Sequence, residues 1–142
     1  MSNSIDEKVL ELLKGDELDD YWRCKVINSV YSINIVFKTR VTPTDIHFCK
    51  LEPEQLWVNC EEEINLLYAN TIESTLSVQR LAPITVIEYN GKHTIYMGSV
   101  RAVLFCRYQK TIDCIVVVVH TEKAAFFSNQ AQRRLIDFDI YR

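Results

Sequence analysis

A chain of 142 residues, 48 % hydrophobic and 25 % charged, is long enough for one domain with a buried core, at about 150 residues per domain. Three glycines and three prolines exclude collagen-like, linker-like and mostly disordered readings. No apolar run reaches the ~18 residues that a bilayer-crossing helix needs, and residues 1–14 carry acid where a secretory signal carries base. A cytoplasmic location without a membrane partner is expected.

The net charge of −3 is unevenly spread. Residues 1–20 hold seven acids against Lys8 and Lys14, whereas residues 80–134 hold eight bases against Glu88, Asp113 and Glu122. A mildly basic second half suits phosphates but falls short of a strong nucleic-acid footprint. The five cysteines, Cys24, Cys49, Cys60, Cys106 and Cys114, form no CxxC pair. They read as reduced thiols, with Cys106 and Cys114 as core residues, and no metal is expected.

In chain order, residues 4–14 predict a short amphipathic helix. Ser4 caps it, Glu7 lies three residues on as in a capping box, and Val9, Leu10 and Leu13 share a face before Gly15 ends it. Residues 22–41 show two runs of alternation, Trp22, Cys24, Val26 and then Ile33, Ile35, Phe37, with Asn28 and Ser29 between them. They predict a β-hairpin, with one long helix as the weaker option. Pro43 and Pro53 bracket a loop or short edge strand, residues 45–51, that leads into Leu56, Trp57 and Val58. Asn59 followed by Glu61, Glu62 and Glu63 starts a helix over residues 60–78.

Pro83 opens a strand over residues 84–89, Asn90-Gly91 supplies a type I′ turn, and residues 92–97 return. Gly98 breaks the strand, Ser99 is the expected cap, and residues 100–108 form a short helix that is apolar around most of its surface. Residues 112–119 are apolar apart from Asp113 and mostly β-branched. They predict a central strand, most naturally parallel to residues 92–97. A last helix is expected over residues 122–135, followed by a tail.

The chemistry concentrates where strand meets helix. Gly98 permits close backbone approach, Ser99 offers a hydroxyl, and Arg101 in the first turn offers a planar fork for a phosphate or carboxylate. His120, at the carboxyl end of the next strand, would neighbour that site if the two strands are parallel and adjacent. Taken alone, a Gly-Ser step is more often a plain helix start, and His120 a surface residue.

Leu51-Glu52-Pro53-Glu54-Gln55-Leu56, Ile72-Glu73-Ser74-Thr75-Leu76, Leu81-Ala82-Pro83-Ile84-Thr85-Val86, the Asn90-Gly91 hairpin, Ile95-Tyr96-Met97-Gly98-Ser99-Val100-Arg101-Ala102 and residues 112–118 together resemble the ParB/sulfiredoxin-like domain. The match covers residues 51–119. The resemblance implies that the loop holding Gly98 and Arg101 binds nucleotide phosphates or positions a substrate. The chain departs from the family at chemistry-bearing positions. Where nuclease-like members resemble Asp-Gly-His-x-Arg, this chain has Met97-Gly98-Ser99-Val100-Arg101. Where sulfiredoxins resemble Gly-Cys-His-Arg, Ser99 and Val100 replace the thiol and the imidazole, and a hydroxyl is no substitute for a thiolate. Only 23 residues follow Val119, against the helix-turn-helix and dimerising segment of chromosome-partitioning relatives.

The expected fold is therefore α+β: a single domain whose mixed β-sheet contains a β-hairpin and a β-α-β unit of the ParB/sulfiredoxin-like kind. Residues 1–50 add an N-terminal helix and hairpin, residues 51–119 form the ParB-like core, and residues 120–142 form a C-terminal helix and tail, all in one compact domain. The expected function is a stand-alone, non-catalytic module binding a phosphate-bearing ligand, nucleotide or nucleic acid, through Gly98, Ser99 and Arg101, with His120 as neighbour and a nucleotide as the one candidate cofactor. One alternative is a protein-interaction or regulatory scaffold on a degenerate ParB-like fold. The other is a metal-dependent nuclease, which would need distant residues such as Asp45, His47, Glu88 and His120 to converge.

Overall fold

The first helix, α1 (Ile5–Leu12), begins where the Ser4 hydroxyl accepts the Glu7 amide at 3.1 Å. Ile5, Val9 and Leu13 are buried along its inner side. In this computed structural model, residues 4–13, 18–59, 81–121 and 132–138 are described. Gly15 and the expected helix over residues 60–78 lie outside them.

The hairpin expected over residues 22–41 is instead one helix, α2 (Asp20–Val36), capped by the Asp19 carboxylate, which accepts the Trp22 amide at 3.1 Å. Val26, Val30, Ile33 and Phe37 recur at helical spacing and are buried, whereas Cys24 and Ile35 point outward. Because both faces carry apolar side chains, reading every second residue picks alternately from the inner and outer faces. The result imitates the period of a strand. Hydroxyls dock α2 on the sheet: Ser29 Oγ donates to the Val26 carbonyl at 2.7 Å and hydrogen-bonds Thr85 Oγ1, and Ser32 Oγ hydrogen-bonds Tyr96 Oη.

Among the described residues six strands follow: β1 (Ile46–Leu51), β2 (Leu56–Asn59), β3 (Ile84–Tyr89), β4 (Lys92–Met97), β5 (Ile112–Val118) and β6 (Gln132–Arg134). They form one mixed sheet in the order β1-β5-β3-β4-β2-β6. The fold is α+β, with the edge strand β1 and the β3–β4 hairpin where the prolines and the Asn90-Gly91 pair place them. Asn90 and Gly91 both adopt positive φ, 51° and 79°, as a type I′ turn requires.

The helix α3 (Ser99–Gln109) joins β4 to β5. The expected parallel pairing of those two strands does not occur. β3 lies between them, antiparallel to β4 and parallel to β5, so β4 and β5 run in opposite directions. The parallel partner of the apolar strand is the first strand of the hairpin, not the second. Its central position is as expected: β5 sits between β1 and β3, and Ile112, Cys114, Ile115, Val116 and Val117 are all buried.

Two helical layers make that strand apolar on both faces. α1 and α2 cover Ile46, Ile87, Ile115 and Val117, while α3 and Leu135 cover Leu51, Ile84, Val86, Cys114 and Val116. The last predicted helix also gives way, in its described part, to strand β6 and a 3₁₀ turn, Leu135–Asp137. Gln132 secures β6 by donating from Nε2 to Asn59 Oδ1 at 2.8 Å, so the Asn59 side chain serves the sheet.

Candidate functional site

The junction between β4 and α3 gathers Gly98, Ser99 and Arg101. Gly98, not Ser99, is the N-cap, and it lies at φ 107°, a region that L side chains rarely adopt. A Cβ there would meet Ile84 Cγ2 at 2.8 Å and an Arg101 terminal nitrogen at 3.0 Å. The glycine is thus required by close packing behind it as well as by its φ. The Ala102 amide reaches the Gly98 carbonyl at 2.8 Å, the first turn of the helix, and no side chain of the cap residue serves the amides at this end.

Arg101 leaves the first turn and folds back over the start of β3. Its Nε donates to the Ala82 carbonyl and a terminal nitrogen to the Pro83 carbonyl, both at 3.1 Å, and the guanidinium carbon lies 4.9 Å from the centre of the Trp22 ring. One side chain therefore ties α3, the entry to β3 and the amino end of α2. Burial lowers the guanidinium pKa to about 10, which leaves it protonated at neutral pH. Among the described residues no carboxylate pairs with it.

His120 is not a neighbour of this site. β4 ends, and β5 begins, beside the start of β3, through the pairs Thr85↔Met97 and Ile84↔Cys114. His120 follows the far end of β5, where the Val119 amide reaches the Glu88 carbonyl at 3.0 Å. The length of β5 separates the two edges by about 20 Å. The expectation failed because it needed β4 and β5 to be parallel and adjacent.

Asp45, His47, Glu88 and His120 belong to that far half of the sheet, yet they do not converge. The Asp45 carboxylate accepts the Thr42 amide at 2.9 Å, and Glu88 Oε1 lies 2.8 Å from His93 Nε2. Among the described residues no three His, Cys, Asp or Glu side chains are grouped to hold a metal ion.

Three features escape a reading of the sequence. Trp22 packs on Arg101, but it lay in the misread hairpin. Trp57 has Lys92 Nζ 4.5 Å and the Arg134 guanidinium 5.3 Å from its ring centre, a cluster assembled across β4, β2 and β6. No local signal joins residues so far apart in the chain. A cleft of about 440 Å³ brings Glu52 and Glu54 beside Cys106, Arg107 and Lys110. A hydrogen bond between the two carboxyls raises the Glu52 pKa and lowers that of Glu54. Burial pushes the Cys106 thiol up to about 12, so it is no thiolate nucleophile at neutral pH.

No family model, curated protein or solved structure matches the chain.

Proposed function

We propose that the chain is a non-catalytic binding module for a phosphate-bearing ligand, a nucleotide or nucleic acid, that docks at the start of α3 against Gly98, Ser99 and Arg101. The observation that carries this reading is the charge of that corner. A partly buried guanidinium that donates to two neutral carbonyls and lies over a ring stands beside the positive end of a helix whose cap residue supplies no side-chain acceptor. An anion placed there would meet both positive charges at once. The corner reaches the surface, since Met97 is 50 % exposed. The resemblance to ParB/sulfiredoxin-like domains, whose corresponding loop handles phosphates, supports the same assignment, and the apolar Met97 and Val100 support binding without catalysis.

The test separates binding from folding. A glutamate at residue 99 complements the helix dipole but repels an anion, so Ser99→Glu is expected to keep or slightly raise stability while abolishing binding of nucleoside triphosphates and short DNA. Arg101→Ala should weaken binding by about 1.5 to 3 kcal/mol, the worth of a charge-assisted hydrogen bond. Calorimetric titration of wild type and both variants reads these effects. Equal binding by all three proteins, or none by wild type, would refute the assignment.

A further inference from the structure

Two thiols that the anion site does not use meet across the sheet. Cys49 on β1 and Cys114 on β5 are direct partners in the antiparallel ladder, between the pairs Lys50↔Asp113 and Phe48↔Ile115. The register is pinned on both faces. Leu51 and Ile112, the next pair on the face of the thiols, are buried, and on the other face Lys50 Nζ donates to Asp113 Oδ1 at 2.8 Å. Because paired residues project to one face, Cys49 packs against the cluster in which Cys114 is buried. Directly opposed Cα atoms in an antiparallel ladder stand about 4.5 or 5.5 Å apart, and both values fall within the ~4.4 to 6.8 Å that a disulfide spans. Each thiol donates to a carbonyl of its own strand, Cys49 to Lys50 at 3.8 Å and Cys114 to Ile112 at 3.3 Å. Joining the sulfurs therefore takes side-chain rotation and no change of register.

We infer that Cys49 is a site of oxidation by hydroperoxides and that Cys114 is the thiol that resolves it. Cys49 is partly exposed on an edge strand, so a small oxidant reaches it from solvent, whereas Cys114 is fully buried. The Cys49 sulfur attacks the O–O bond and becomes a sulfenic acid, and the peroxide leaves as water or an alcohol. The Cys114 sulfur then attacks the Cys49 sulfur and displaces hydroxide, which takes up the Cys114 proton and leaves as water. Two thiols lose two electrons, the peroxide gains them, and a Cys49–Cys114 disulfide ties β1 to β5. Burial, and then the charges of Cys49 and Asp113, raise the Cys114 pKa and make it a weak nucleophile toward reagents in solution. Its fixed place opposite Cys49 compensates, because the second step is intramolecular. The pair involves none of residues 98–101 and stands or falls apart from the ligand proposed there.

Hydrogen peroxide added to the folded full chain, followed by thiol blocking and tryptic mapping, tests the inference, because the five cysteines fall in five different tryptic peptides. The main product should be two hydrogens lighter than the reduced chain, with residues 41–50 linked to residues 111–123. Cys114→Ala should leave a sulfenic acid on Cys49 that dimedone captures. Cys49→Ser, at a partly exposed position, should melt like wild type and keep Cys114 reduced. In the urea-unfolded chain the linkage should lose its preference over other pairs. A main product linked through Cys24, Cys60 or Cys106, a Cys49 that stays a thiol, or the same mixture from folded and unfolded chain would each overturn the inference.

Discussion

At the scale of single residues, Gly98 and Arg101 hold each other in place. The Gly98 backbone lies at φ 107° with an Arg101 nitrogen 3.0 Å from where a Cβ would stand, so a side chain at residue 98 would crowd the guanidinium. Gly98→Ala should cost about 1 to 3 kcal/mol, read as a shift in the urea midpoint, because the φ is strained for alanine and Ile84 blocks the space. The corner was legible from the sequence as a glycine, a hydroxyl and an arginine at a helix start. What Arg101 bonds to was not, because the Ala82 and Pro83 carbonyls and the Trp22 ring come from elements distant in sequence. Thiol reactivity also belongs to this scale. At neutral pH a thiol reagent should modify exposed Cys24 rapidly and leave Cys106 and Cys114 unmodified until the chain unfolds, since both are buried and burial raises both pKa values. Labelling of Cys106 at the rate of Cys24 would contradict the packing described.

At the scale of elements, the hairpin of β3 and β4 and the central strand β5 could be read because their signals are local: a turn that demands two positive φ values, and the apolar run over residues 114–119. α2 could not, because a helix that is apolar on two opposite faces breaks the usual rule of one apolar stripe. The distinction is measurable at adjacent positions on one alternation. In a hairpin, Ile33 and Ile35 would share a face. In α2 they are opposed, with Ile33 0 % and Ile35 78 % exposed. Ile33→Ala should therefore cost about 2 to 5 kcal/mol and Ile35→Ala within about 0.5 kcal/mol of nothing when measured on dilute protein. Similar costs for both would restore the hairpin. The strand β6 was missed for a different reason: three residues joined to β2 carry too little pattern to stand against the surrounding helical one.

At the scale of the molecule, strand order decides which residues can act together. Inserting β3 between β4 and β5 reverses β5 relative to β4 and carries His120 to the edge opposite Gly98. Strand direction depends on which strands pair, a long-range choice that apolar runs do not encode. His120→Ala should thus leave ligand affinity unchanged, whereas a loss comparable to that of Arg101→Ala would mean that the two edges communicate. The two helical layers explain why a chain of this size buries all of β5 but Asp113 and Val118, and why the start of α3 and the Trp57 cluster fall at the rim of the sheet. The most direct measurement of the central claim is an amide-resolved NMR titration of the full chain with a nucleoside triphosphate and with a short DNA strand. Binding at the start of α3 predicts chemical-shift changes concentrated over residues 98–102 with at least one of these ligands, and their disappearance in Ser99→Glu. Silence at those amides, or changes centred instead on Trp57 and the strands that flank it, would contradict it.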